Sequence, residues 1–178
     1  MIKTVNLYDM THSLAGIHDP FLLKDMDKAV AEIRRAIENK EKIAVYGDYD
    51  VDGVTATCIM IQYLKKMGAD CTYYIPDRLE EGYGLNVAAI QSLYDDGCRL
   101  LITVDSGITA EEEAVFAREL GLRLIITDHH ECKEKLPDAV AVVNPRRMDS
   151  DYPFRELAGV GVAFKVICAL EKDRPIAD

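Results

Sequence analysis

Three aspartates, Asp48, Asp50 and Asp52, fall within five residues in the stretch IAVYGDYDVDGVTATCIM, Ile43 to Met60. Carboxylates so close repel one another, and a chain shaped by stability alone would space them out. The same chemistry recurs downstream, at Asp105 in VDSG and at the triplet Asp128-His129-His130 in TDHH. Divalent cations remove the conflict. A mixed Asp/His set suits manganese, iron, cobalt or zinc better than calcium. One carboxylate bridging two ions, with others from separate segments, is what a two-metal hydrolase requires. The ions acidify a water, orient it in line and neutralise phosphoryl charge.

Each piece alone has a blander reading. An Asp-rich turn or a His pair standing alone is more often ordinary surface. An EF-hand loop starting at Asp48 would need Glu at its twelfth position, where Ile59 stands. Asp105-Ser106-Gly107 is not a GxSxG nucleophile elbow. In ELAGVGVAFK, Gly159 and Gly161 lack the third glycine of a dinucleotide fingerprint, Phe164 standing in its place. That segment reads instead as a helix N-terminus whose N–H groups face an anion.

The clusters need elements to bring them together. KDMDKAVAEIRRAIENK puts Ala29, Ile33, Ala36 and Ile37 on one helical stripe, with Asp25 or Asp27 as N-cap. KIAVY is a short buried strand, and a helix from Val54 to Met67 is stopped by Gly68. The strand CTYYI and the loop PDRLEEGYGL follow. Asn86 caps a helix running to about Asp96, ahead of a turn at Gly97. After the strand LLITV, Thr109-Ala110-Glu111-Glu112 forms a capping box for a helix that Gly121 closes. LRLIIT and AVAVV are two more strands, and a last helix runs from about Val160 to Lys172. Strands without polar alternation, separated by helices, predict a doubly wound α/β domain: a mostly parallel five-stranded sheet with helices on both faces. The strands ending at Tyr46, Val104 and Thr127 then deliver all three clusters to the carboxyl edge, where such sheets bind ligands.

Bulk properties narrow the function classes. The chain has 178 residues, enough for one core, with 49% hydrophobic and 29% charged residues. A net charge of −10 disfavours non-specific gripping of nucleic-acid backbone over the whole surface, though metal-holding acids beside a local basic groove remain compatible with it. Cys58, Cys71, Cys98, Cys132 and Cys168 form no CxxC pair, which argues against a disulfide framework or thiolate zinc site. No apolar run reaches the roughly 18 residues of a membrane helix, and MIKTVNLYDMTHSL lacks a signal-peptide core. A cytoplasmic protein is expected.

YGDYDVDG, VDSG and TDHH resemble the three motifs of the DHH phosphoesterase superfamily, named for the triplet here at Asp128, His129 and His130. The loop YYIPDRLEEGYGLN and the segments VVNPRR and LAGVGVAFK narrow the resemblance to its RecJ-like branch, single-strand-specific DNA exonucleases acting from the 5′ end. The resemblance runs from about Pro20 to the end of the chain. It implies two manganese ions, with magnesium as the alternative, held by Asp50, Asp52, Asp105 and His130, with Asp105 bridging. Asp48 is an additional metal-site and catalytic acid characteristic of the exonuclease branch. His129 would stand beside the scissile phosphate, Asp128 would orient a histidine, and Arg78, Arg146 and Lys165 would contact phosphates. Implied partners are single-stranded DNA, single-strand-binding protein and a helicase, with no membrane.

Two departures stand out. Tyr46 occupies a position where the family often has a histidine, which would weaken the hold on one ion or leave it to be completed by Asp48 and water. The family's last metal-binding aspartate and second lobe lie beyond Asp178. The expectation is therefore an N-terminal lobe, with an arm and helix over 1–40 and an α/β core over 41–178, inactive or nearly so by itself. The alternatives are a phosphodiesterase acting on short oligonucleotides, cyclic dinucleotides or pyrophosphate, and a non-catalytic docking module.

Overall fold

Helix α1, Met26–Glu38, buries Met26, Ala29, Val30, Ile33 and Ala36, the expected apolar stripe, against a parallel sheet. The computed structural model describes residues 17–77 and 84–172. The sheet's strands are β1, Lys42–Tyr46; β2, Cys71–Tyr74; β3, Cys98–Val104; β4, Arg123–Thr127; and β5, Ala141–Val143. Their order is β2-β1-β3-β4-β5, and every adjacent pair is parallel. The unbroken apolar runs follow from burial on both faces. Ile43 and Val45 enter one core, while Ala44 and Tyr46 enter the other.

Helices α1, α2 (Val51–Lys66) and α5 (Gly159–Lys172) cover the first face. Helices α3 (Val87–Asp95) and α4 (Glu111–Leu120) cover the second. From β1 the chain steps outward to β2, then returns to the opposite side of β1 for β3. Adjacent connections diverge at this switch point and leave a crevice beyond the strands' carboxyl ends. The doubly wound α/β expectation holds, with all five strands parallel.

Element ends differ from expectation at several places, β5 being two residues shorter than AVAVV. Helix α2 starts at Val51, three residues early, because the Asp50 carboxylate accepts the Gly53 N–H at 2.9 Å and caps it. Asp52 thereby falls inside the first turn. Strand β3 begins at Cys98 rather than Leu100. Asp25 occupies the cap position of α1 but has φ 59°, and its carboxylate makes no cap bond. Instead it takes Arg147 Nη1 at 2.5 Å, Lys28 Nζ at 2.7 Å and Val142 N at 3.3 Å. The capping box before α4 does not form, for Ala110 is the cap residue and has no side-chain acceptor. Asn86, Gly68 and Gly121 behave as expected: Asn86 accepts the Ala89 N–H at 2.7 Å, and both glycines take positive φ. Among the described residues, no helix is long and apolar enough to cross a membrane.

Candidate metal centre

At the end of β1 the chain turns through Gly47 directly into α2. A Cβ at Gly53 would stand 2.6 Å from Asp48 N, so glycine there lets the first turn of α2 close over Asp48. Asp48 is consequently buried, its Oδ1 accepting the Tyr49 N–H at 2.7 Å. Burial pushes its carboxyl above the usual range, with the neighbouring Asp50 charge adding to the shift. Asp50 stays exposed at the α2 cap.

Asp105, at the end of β3, adopts the left-handed region with φ 59°, which costs an L-residue about 1 kcal/mol. The Thr103 and Thr127 hydroxyls brace this turn: Thr103 Oγ1 donates to Ser106 O, and Thr127 Oγ1 to Thr103 O, both at 2.7 Å. Asp105 is 1% exposed, and neither of its carboxylate oxygens has a hydrogen-bond partner. His129 Nε2 stands 3.1 Å from Asp105 Oδ1 but out of line for a hydrogen bond. Burial, then the charges of Asp52 and Asp50, push the Asp105 carboxyl up to about 8. A buried carboxylate with orphaned oxygens is a costly arrangement that a cation relieves.

Asp128, at the end of β4, is the opposite case. Its Oδ2 accepts the Ile108 N–H at 2.9 Å, and its Oδ1 accepts His129 N, His130 N and His130 Nδ1 at 2.7, 3.1 and 2.7 Å. Burial raises its pKa, but these bonds outweigh burial and hold the carboxyl below the usual range. Fully satisfied, Asp128 fixes the His130 ring through Nδ1, beside Asp105 and His129. The same hydrogen bond raises the His130 pKa.

Among the described residues, two groups of ligand atoms, each within 4.8 Å of one another, result: Asp105, His129 and His130, and Asp48, Asp50 and Asp105. Asp105 belongs to both. Oxygen donors from two strand ends and nitrogen donors from a third, sharing a carboxylate with unpartnered oxygens, fit a pair of divalent cations. A cavity of about 310 Å³ opens beside His130, lined in part by Gly107, Thr109 and Glu113.

Asp52 belongs to neither group. Its side chain stands 3.7 Å from His129 Nε2 and accepts the N–H groups of Gly159 and Val160. The anion expected at that helix N-terminus is thus the chain's own carboxylate. Tyr46 turns into the α3/α4 face, donating to Gly84 O at 2.9 Å, accepting from Asn86 Nδ2 at 3.3 Å and stacking on Tyr74. It props the 84–86 segment and adds no donor to either group.

Among the expected phosphate contacts, Arg78 lies outside the described residues. Arg146 is held between Glu131 and Glu156. Lys165, buried on α5, donates to His18 O at 2.7 Å, and burial lowers its pKa. One positioning residue escaped sequence reasoning. Asn144, 0% exposed, donates from Nδ2 to His130 O at 3.0 Å and accepts the Arg146 N–H at 2.7 Å. Its signal in VVNPRR was an amide just beyond a buried strand.

Known proteins share this fold and sequence. Residues 42–178 match the family described as "DHH family, N-terminal domain". The single-stranded-DNA-specific exonuclease RecJ of Bacillus subtilis (strain 168) is 52% identical over 161 residues, 90% of this chain and 20% of the relative. A crystal structure of exonuclease RecJ bound to manganese superposes with a TM-score of 0.77 at 37% identity, over 84% of this chain and 38% of that one. RecJ from Thermus thermophilus in complex with Mn2+ gives 0.71 at 32% identity, over 84% of this chain and 21% of that one. The chain thus spans well under half the length of these relatives. It belongs to the DHH family, of which it carries the N-terminal domain.

Proposed function

We propose that this chain is the N-terminal, metal-binding lobe of a 5′→3′ single-strand-specific DNA exonuclease that hydrolyses phosphodiester bonds in DNA repair and recombination with two divalent cations, manganese foremost. The observation that carries the reading is Asp105, buried, unpartnered at both oxygens and shared by two ligand groups.

Bound divalent ions supply an acidified water and charge neutralisation at the phosphoryl oxygens. Asp50, Asp48 and Asp105 would hold one ion, and Asp105, His130 and His129 the other. Asp128 keeps the His130 ring aimed at the centre. His129, 3.1 Å from the shared carboxylate, would either complete that ion's shell or stabilise a phosphoryl oxygen beside it. Arg146 would leave Glu131 or Glu156 to reach a phosphate. The remaining length of the relatives is where a closing lobe and a further acidic ligand belong. Single-stranded DNA is the proposed substrate, made available in the cytoplasm by a helicase and coated by single-strand-binding protein.

The test uses the full-length protein containing this chain, with manganese or magnesium and a 5′-ended single strand labelled at its 5′ nucleotide. Release of labelled mononucleotides, lowered at least about 1,000-fold in Asp105→Ala, is expected. No release from the long strand, or equal release by Asp105→Ala, would sink the reading. Faster cleavage of dinucleotides or pyrophosphate would move the substrate to other branches of the family.

A further inference from the structure

The first turn of α5 is capped from a distant element. Gly159 N donates to Asp52 Oδ2 and Val160 N to Asp52 Oδ1, both at 2.7 Å, across more than 100 residues of chain. The positive end of the α5 dipole thus faces a carboxylate projecting from the first turn of α2. A Cβ at Gly159 would stand 2.5 Å from the Asp105 Cβ and would collide with Asp105 Oδ1, so only glycine lets α5 come this close. On its other side, Asp52 Oδ2 lies 3.7 Å from His129 Nε2. Asp52 therefore stands between the α5 N-terminus and the ligand group of Asp105, His129 and His130.

A carboxylate offers about four acceptor sites, and the two N–H groups take two of them. The remainder stay free to meet a cation. We propose that Asp52, holding the first turn of α5 with one side of its carboxylate and facing the centre with the other, couples cation occupancy of the centre to the seating of α5. A cation that fixes Asp52 fixes the first turn of α5, and an α5 pushed off its seat draws Asp52 away from the centre. The device rests on the metal-centre reading and extends it, because α5 contributes only backbone N–H groups and a missing side chain.

Two variants replace no metal-ligating side chain, and the first of them leaves Asp105 undisturbed. Val160→Pro deletes the single N–H that reaches Asp52 Oδ1, within a first turn where proline is tolerated. Gly159→Ala pushes α5 away from Asp105 and supplies a second route should the proline variant fail to fold. Manganese affinity is read by electron paramagnetic resonance titration, and α5 by hydrogen exchange of a peptide spanning residues 157–164. Both variants are expected to bind manganese about 10-fold more weakly or worse, the usual effect of removing a ligand's supporting partner. In the unmodified protein manganese should slow exchange of that peptide, and in Val160→Pro the slowing should vanish. Unchanged affinity in both variants, or a peptide indifferent to manganese in the unmodified protein, overturns the coupling. If the unmodified protein binds no manganese at all, the metal-centre reading itself fails.

Discussion

Asp105 prefers opposite protonation states before and after a cation arrives. In the metal-free protein burial holds its carboxyl up to about 8, so the folded state keeps a proton that the unfolded chain releases near the ordinary 3.8. Between those values the unfolded state binds fewer protons, so stability falls as pH rises and levels off above about 8. Asp105→Asn removes the titration. Metal-free Asp105→Asn should melt higher than the parent at pH 8.5, by about 5 °C, with the gap shrinking toward pH 5. Thermal denaturation in chelator checks this, and a gap that widens toward acid contradicts the burial argument. Asn144 acts differently, through the backbone of His130. Asn144→Ala should weaken manganese binding about tenfold, measured by titration, without removing a ligand. These residues also mark how far sequence reached. The convergence of Asp105 and the histidines was legible because all three stand just beyond strand ends of one parallel sheet. Asn144 was not, because an amide's role depends on which carbonyl lies opposite.

At the scale of elements, glycine and arginine decide where helices dock. Gly53→Ala would force its Cβ to within 2.6 Å of Asp48 backbone, moving α2 or the Asp48 turn. A cost of about 2 kcal/mol and a melting point about 6 °C lower are expected. Calorimetry on the metal-free protein separates this from any metal effect. The Asp25 bridge ties the start of α1 to β5 through Arg147, which also donates to Val142 O at 2.7 Å. Arg147→Ala leaves the half-buried Asp25 without its main partner, and about 2 kcal/mol of destabilisation by urea denaturation is expected. Periodicity gave α1 its stripe and apolar runs gave the strands. The failed caps at Asp25 and Thr109 have different causes, for before α4 the cap position falls on Ala110, which has no side-chain acceptor. A capping side chain is local chemistry, and at Asp25 a distant arginine outcompeted the local N–H groups.

Across the whole molecule the sheet order makes the centre. With β1 and β3 adjacent and β4 next, three turns separated by dozens of residues converge on one crevice. Cation binding should therefore stabilise the fold as a unit. Manganese at about 100 times its dissociation constant should add about 2.7 kcal/mol, seen as a rise in melting point that Asp105→Ala abolishes. A rise that survives this substitution would place the ions elsewhere. By itself the sequence determined the alternation of strand and helix, the parallel sheet and which acids and histidines stand at its carboxyl edge, since these follow from apolar patterning and residue position. Only the tertiary structure decided what surrounds each acid. It buried Asp105 without partners, satisfied Asp128 with four hydrogen bonds and turned Asp52 toward α5. The physical reason is that a carboxylate's role is set by the donors and charges around it, and those arrive from strands and helices remote in sequence.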